Sequence, residues 1–365
     1  MKSVSRFTFG RAVALGSAML LIIGMSCGLV AYGQEGQEDE QDTSGITSPD
    51  EATATSLDTL GLTPKMLEDL RAKLPNYRDD TDQEIVLRIQ RMGPNYDAYI
   101  SDKSVVGEIG VLAVAHGFRE VGDTEFKDSF RSTGKLFPTS VAFGMALHTS
   151  SHIQSAVDDI VAAGAKTIVV IPATTTENGG LMQQWKYIFG LSEDSAFMEV
   201  PPVKTEANIL MVRPPSSGPI ITAIMLDYAL EMSDDPQNEV VILVAHGAST
   251  QEKDRKELTI LLDHAEIIRQ DSDFSEVKVI TLQDTAPEDI HAAKVEKFRS
   301  WVEAASKQGK RALIVSTALV TSRSLNEIKR HLTGLEYGFS GKGLMPHPLF
   351  EDWIGYAIRD QLKES

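Results

Sequence analysis

At 365 residues the chain is too long for one average domain and suits two of ordinary size. Hydrophobic residues make up 42% of it, enough to bury real cores, which excludes a disordered or fibrous protein. Lys and Arg number 35 against 52 Asp and Glu, a formal net charge of −17. No basic face is available for nucleic acid, so that class of partner is excluded; an acidic surface suits metal cations and ordinary solubility alike.

Lys2, Arg6 and Arg11 precede an apolar run from Ala12 to Tyr32. A basic segment followed by an apolar one is the pattern of an export signal, and Ala31 and Gly33 supply small residues for cleavage. Residues 1–33 therefore read as a signal peptide, or as an uncleaved membrane anchor, since the run is just long enough to cross a bilayer. The expected location is exported, periplasmic or otherwise extracytoplasmic, with membrane contact only through this segment. The single cysteine, Cys27, lies inside it, so the remainder has neither a disulfide framework nor thiolate chemistry. Residues 34–56 are acidic, small and polar and read as a disordered tether. Residues 57–104 follow as a helical lead-in, with Thr63-Pro64 as a helix start and a second helical pattern from Thr81 to Met92.

Two α/β units come next, over 105–233 and 239–362, separated by the polar linker Asp234 to Asn238. Strands are expected at Ile109–Ala115, Ser140–Ala146, Thr167–Ile171 and Asn208–Val212, then at Val240–Ala245, Lys278–Leu282, Ala312–Val315 and near Gly334–Phe339. Helical patterns alternate with them, which argues for βαβ units and two tandem, doubly wound parallel sheets of the flavodoxin or Rossmann kind. One stretch recurs: Val111-Leu-Ala-Val-Ala-His116-Gly117 in the first unit and Val241-Ile-Leu-Val-Ala-His246-Gly247 in the second. A continuous apolar run fits a strand buried on both faces. A His at its end sits at the carboxyl edge of the sheet, where open α/β folds bind ligands. Gly117 and Gly247 allow a sharp turn and a close approach. An internal duplication accounts for the length, the linker and the paired turns together.

Among eight histidines, His148 and His152 stand four apart at the junction of a strand and its helix. That spacing places two rings on one helix face, and imidazoles favour borderline cations such as cobalt, nickel, iron or zinc. With His116 across the sheet edge, a three-imidazole metal site becomes available. The matching stretch of the second unit, Asp284 to Asp289, offers carboxylates instead, or simply an acidic first helical turn. His116 is therefore expected to belong to the better metal site, and His246 to the weaker one. Glu177, in the loop after the third strand, stands before Gly179-Gly180 and a helix start. No nucleophile elbow, P-loop or dinucleotide fingerprint occurs.

The strand–Ala-His-Gly openings, Ile153–Gly164, Ala165–Pro172, the Pro214-Pro215…Gly218-Pro219 turn and the closing Gly343-Leu-Met-Pro-His347-Pro348 together resemble the class II tetrapyrrole chelatases. The resemblance is to the sirohydrochlorin cobaltochelatase or ferrochelatase (CbiX/SirB-like) family, in two tandem copies over roughly residues 105–360. It implies a lyase that inserts a divalent metal, cobalt first and otherwise iron or nickel, into a sirohydrochlorin-like ring, as in cobalamin biosynthesis. Metal and tetrapyrrole would be substrates, with no organic cofactor. His116 would be metal ligand and base, Glu177 a proton acceptor, and Gly117, His246 and Gly247 would line the ligand site. Two departures stand out: no His follows the third strand, where the chain reads Pro172-Ala-Thr-Thr-Thr-Glu177, and His148 and His152 occupy the region of an expected carboxylate. An exported metal or tetrapyrrole carrier on the same fold is the alternative.

Overall fold

The structure, a computed structural model, describes residues 57, 60–74, 77–321 and 323–364. The expected signal or anchor and the tether, residues 1–56, lie outside the described residues. Two helices lead in, α1 (Pro64–Lys73) and α2 (Asp82–Arg91). Each starts on a threonine cap: Thr63 accepts from the Met66 amide, and Thr81 forms a reciprocal capping box with Glu84. Their apolar faces, with Leu67, Leu70, Ile85 and Ile89, pack on Leu147, Phe197 and Met198. The lead-in thus covers the loop that carries His148.

The first α/β half contains β1 (Tyr96–Tyr99), β2 (Ile109–Ala115), α3 (Arg119–Ser129), the short α4 (Arg131–Gly134), β3 (Thr139–Phe143), α5 (Ser151–Ala162), β4 (Thr167–Pro172), α6 (Gly180–Ile188), β5 (Asn208–Met211) and α7 (Pro219–Met232). The second contains β6 (Glu239–Ala245), α8 (Gln251–Asp271), β7 (Glu276–Thr281), α9 (Glu288–Lys307), β8 (Arg311–Ser316), α10 (Arg323–His331), β9 (Gly338–Phe339) and α11 (Pro348–Glu364). The sheets run β1-β3-β2-β4-β5 and β7-β6-β8-β9, so both halves share one order and both are doubly wound. Register repeats as well: Ile109 pairs Thr167 in one sheet and Glu239 pairs Arg311 in the other. One expectation needs correction. The lead-in is not wholly helical, because Tyr96–Tyr99 forms an antiparallel edge strand against β3. Its four residues are too few for a period-two signal to stand out from the helical pattern before them.

The core follows from alternation along the central strands. Val111, Ala113 and Ala115 of β2 face one apolar cluster, while Leu112 and Val114 face another under α5 and α6. On β6, Val241 and Leu243 point into that same first cluster, whereas Ile242 and Val244 face α9 and α10. The two sheets therefore share one core, closed by residues of α7, α8 and α11. The described residues accordingly form a single compact unit. Phe350 on α11 is 1% exposed within the shared cluster. Its replacement by Ala is expected to cost about 3–5 kcal/mol. Both halves should be lost in one transition, checked by urea denaturation followed in parallel by far-UV circular dichroism and tryptophan fluorescence.

Candidate functional site

β2 lies between β3 and β4, and β6 between β7 and β8, so the carboxyl end of each is the topological switch point of its sheet. His116 and His246 occupy those two ends. Both glycines after them are left-handed, Gly117 at φ 88° and Gly247 at φ 80°. The next residues are braced in the same way. Asp123 accepts the Phe118 amide at 2.6 Å, and Asp254 accepts the Ala248 amide at 3.4 Å. Both carboxylates are buried and held from elsewhere, Asp123 by the Tyr96 hydroxyl at 2.6 Å and Asp254 by Lys294 at 3.1 Å and Thr281 at 2.9 Å. These braces escaped the sequence reading. Comparing the copies past the His-Gly pair would have shown an aspartate near the start of the next helix in both.

The three non-glycine residues described at positive φ, Arg119 (66°), Ala146 (49°) and Gln283 (51°), all follow the carboxyl ends of strands. Local strain of that kind, about 1–3 kcal/mol each, persists where the surroundings over-determine the backbone. Gln283 shows how: its amide donates to the His246 carbonyl at 2.7 Å and its side chain to the Ala248 carbonyl at 2.8 Å.

His116 is open to solvent but hemmed in by protein, with Phe118 edge-on at 4.6 Å between ring centroids. Crowding pushes its pKa below the ordinary imidazole value; a hydrogen bond with the Gly117 backbone opposes this, and His246 and Asp123 add smaller pushes, down and up respectively. The two His-Gly turns thus lie within electrostatic reach of each other, which sequence spacing alone did not reveal. His246 is 44% exposed, and its Nδ1 lies 2.8 Å from Asp284 Oδ2.

His148 and His152 sit elsewhere. His148 precedes α5 in the loop under the lead-in helices, and His152 lies in the first turn of α5, 5% exposed. Both rings are pushed down by burial, His152 to about 4 with His148 adding to the effect. His148 Nδ1 and both His152 ring nitrogens are buried with no hydrogen-bond partner. The rings are near neighbours, as their spacing suggested. However, among the described residues no three of His, Cys, Asp and Glu stand together at metal-holding distance. The expected triad of His116, His148 and His152 is therefore not assembled in this structure. Helical spacing places side chains on one element's face; it does not bring that face to a neighbouring strand end.

Glu177 lies in the loop between β4 and α6, 4.0 Å from the Arg213 guanidinium. Within its electrostatic reach is Glu257 of α8, a buried carboxyl whose Oε1 has no partner. Burial pushes the Glu257 pKa up, against hydrogen bonds from Asn178, with Glu177 and Asp254 adding to the rise. Glu257 lines a small cavity between the halves, with Thr176, Ser216 and Gly247. His264 borders it too, bridging Thr222 Oγ1 at 2.8 Å and the Ser216 carbonyl at 2.9 Å, so that ring ties the halves together. On paper Glu257 is one acid among many on an amphipathic helix.

Two outcomes follow from this geometry. Gly117→Ala meets no atom within 4 Å and should cost only the left-handed backbone penalty, about 1–2 kcal/mol. Gly247→Ala also drives its Cβ to 2.7 Å from Asp254 Oδ1 and 2.8 Å from Thr281 Cβ, so its thermal melt should shift further. Second, between an unfolded value of 6.5 and a folded value of about 4, His152 takes a proton only when unfolded. Stability should fall as pH drops through that window, by up to about 3 kcal/mol from this residue. His152→Leu should flatten the slope in part, leaving the shares of His116, His148 and His264, as read by urea titrations from pH 4 to 7.

No protein-family model matches the sequence, and no curated protein matches it. Solved structures do. SirB from Bacillus subtilis, solved with Fe3+, superposes at a TM-score of 0.52 and 16% identity, covering 70% of this chain and 96% of SirB. DR2241 from Deinococcus radiodurans, described as a multi-domain protein with structural similarity to chelatases, gives 0.45 and 15%, covering 69% of this chain and 55% of its own. At such identities the likeness to SirB shows the fold alone: two doubly wound α/β halves in a chelatase-like arrangement.

Proposed function

We propose that the protein is a chelatase that inserts a divalent metal into a sirohydrochlorin-like tetrapyrrole where the two His-Gly turns meet. The observation that supports this best is the nearness of His116 and His246, each at the switch point of its sheet, on a fold like that of SirB. Insertion requires a lone pair to hold the incoming ion and a base for two pyrrole protons. As each of the two N–H-bearing ring nitrogens binds the metal, its N–H electron pair stays on nitrogen and the proton departs. His116 is the ligand in this reading, and the depression of its pKa keeps its ring neutral at pH 7. Gly117 presents no side chain to a flat ring, Gly247 lets the second turn pack closely on Asp254 and Thr281, and Glu177 is an acceptor at the margin. Cobalt leads the candidate metals; the Fe3+ bound by SirB adds weight to iron. The reaction is placed outside the cytoplasm, on the N-terminal pattern alone.

A metal or tetrapyrrole carrier is the second reading, and one observation favours it: no three-ligand cluster is preformed among the described residues. Incubating the protein with sirohydrochlorin and Co²⁺, Fe²⁺ or Ni²⁺ separates the two, since only a chelatase accelerates the change in the ring's absorption bands. In that assay His116→Ala should abolish metal insertion. Co²⁺ binding to the wild type should persist below pH 6.5, the ordinary imidazole value, and fail only as pH drops through the lowered pKa of His116. Insertion at the wild-type rate by His116→Ala would remove that residue from the mechanism.

A further inference from the structure

His116 and His246 begin as copies of one motif but stand in opposite surroundings. His116 has a phenyl ring against it, and the acid nearest to it, Asp123, is already engaged by the Phe118 amide and the Tyr96 hydroxyl. His246 has a carboxylate of its own, Asp284, at 2.8 Å from Nδ1. Asp284 is fixed in turn, with Oδ1 3.5 Å from His291 Nδ1, and that ring nitrogen also lies 2.9 Å from the Leu282 carbonyl. The edge of the His291 ring meets His331 at 5.3 Å between centroids. Past the end of β3, the first half has Ala146 and Leu147 where Asp284 follows β7, so the arrangement occurs in one half alone.

We propose that His246 is the proton acceptor of the cleft and that Asp284 is the residue that positions it, leaving His116 to hold the ion. This rests on the chelatase reading and deepens it. A carboxylate accepting from Nδ1–H fixes the neutral ring in that tautomer and leaves the lone pair on Nε2. No described residue bonds to His246 Nε2, and the side chain is 44% exposed, within electrostatic reach of His116. When Nε2 takes a pyrrole proton, the same carboxylate stabilises the imidazolium that forms. The proton then passes to water, and the ring returns to its starting tautomer for the second N–H.

The test is spectroscopic and kinetic. In ¹⁵N-labelled wild-type protein at pH 8, long-range imidazole correlations should show His246 protonated on Nδ1, and Asp284→Ala should convert it to the Nε2–H form. With sirohydrochlorin and Co²⁺, Asp284→Ala should lower kcat about 10–100-fold while KM for the ring stays unchanged, and Asp284→Glu should recover part of the loss. A wild-type His246 already protonated on Nε2, or an unchanged kcat in Asp284→Ala, overturns the assignment. Should Asp284→Ala fail to fold, Asp284→Asn, which removes the charge at nearly equal volume, is read by the same kinetics. Wild-type protein that inserts no metal overturns the chelatase reading and the base assignment together, whereas normal insertion with an indifferent Asp284 overturns the latter alone.

Discussion

The burial of the two central strands on both faces governs everything else in this protein. From Val111 to Ala115 and from Val240 to Val244 every side chain is buried, each worth about 1.5–3 kcal/mol for a residue of valine or leucine size. Both edges of each strand are hydrogen-bonded to parallel neighbours. Nothing polar fits along such a strand, so the first polar side chain falls where pairing ends, at the carboxyl edge. Alternation then sends Val111 and Val241 into one shared cluster, and that cluster holds the two sheets together. The nearness of His116 and His246 is a consequence of this packing, not a separate device.

What the packing brings near, the loops make rigid. Each His-Gly turn is held by a left-handed glycine and a buried aspartate, and Arg119, Ala146 and Gln283 keep unfavourable backbone angles around the same edge. Strain of that order survives because the hydrogen bonds that enforce it are buried, as with Gln283 against residues 246 and 248. In the proposed reaction, imidazoles held on such turns need not rearrange when charge moves, which is the condition for electrostatic catalysis. The buried and unpartnered nitrogens of His148 and His152 carry a different cost, since desolvation holds those rings neutral at the expense of acid stability.

Much of the fold was legible. Apolar runs with β-branched residues marked the strands, and the repeated strand–His–Gly wording marked the two similarly ordered halves, because period and length are local properties. The edge strand Tyr96–Tyr99 was not, since its pairing with Phe143 and Ser140 is a long-range choice that four residues barely encode. The strand-end positions of His116, Gly117, His246 and Gly247 were legible in the sequence. The nearness of the two turns was not, and the expected partnership of His116 with His148 and His152 assumed that nearness in sequence predicts nearness across a sheet edge. Asp284 could be named only as one acid in a helix-start pattern; its bond to His246 depends on how the loop after β7 folds back on the β6 turn.

Duplication has a chemical use in the proposed reaction. Holding a cation requires an imidazole lone pair, and removing a pyrrole proton consumes one. A single ring cannot do both at the same moment, because the imidazolium has no lone pair on either nitrogen to offer a metal. Two copies of one turn supply two rings at the same place, and divergence around them separates the tasks. Apolar crowding beside His116 disfavours its cation, while His246 has the Asp284 carboxylate at its Nδ1. The difference between the copies, Ala146-Leu147 in one and Gln283-Asp284 in the other, is therefore as informative as the motif they share.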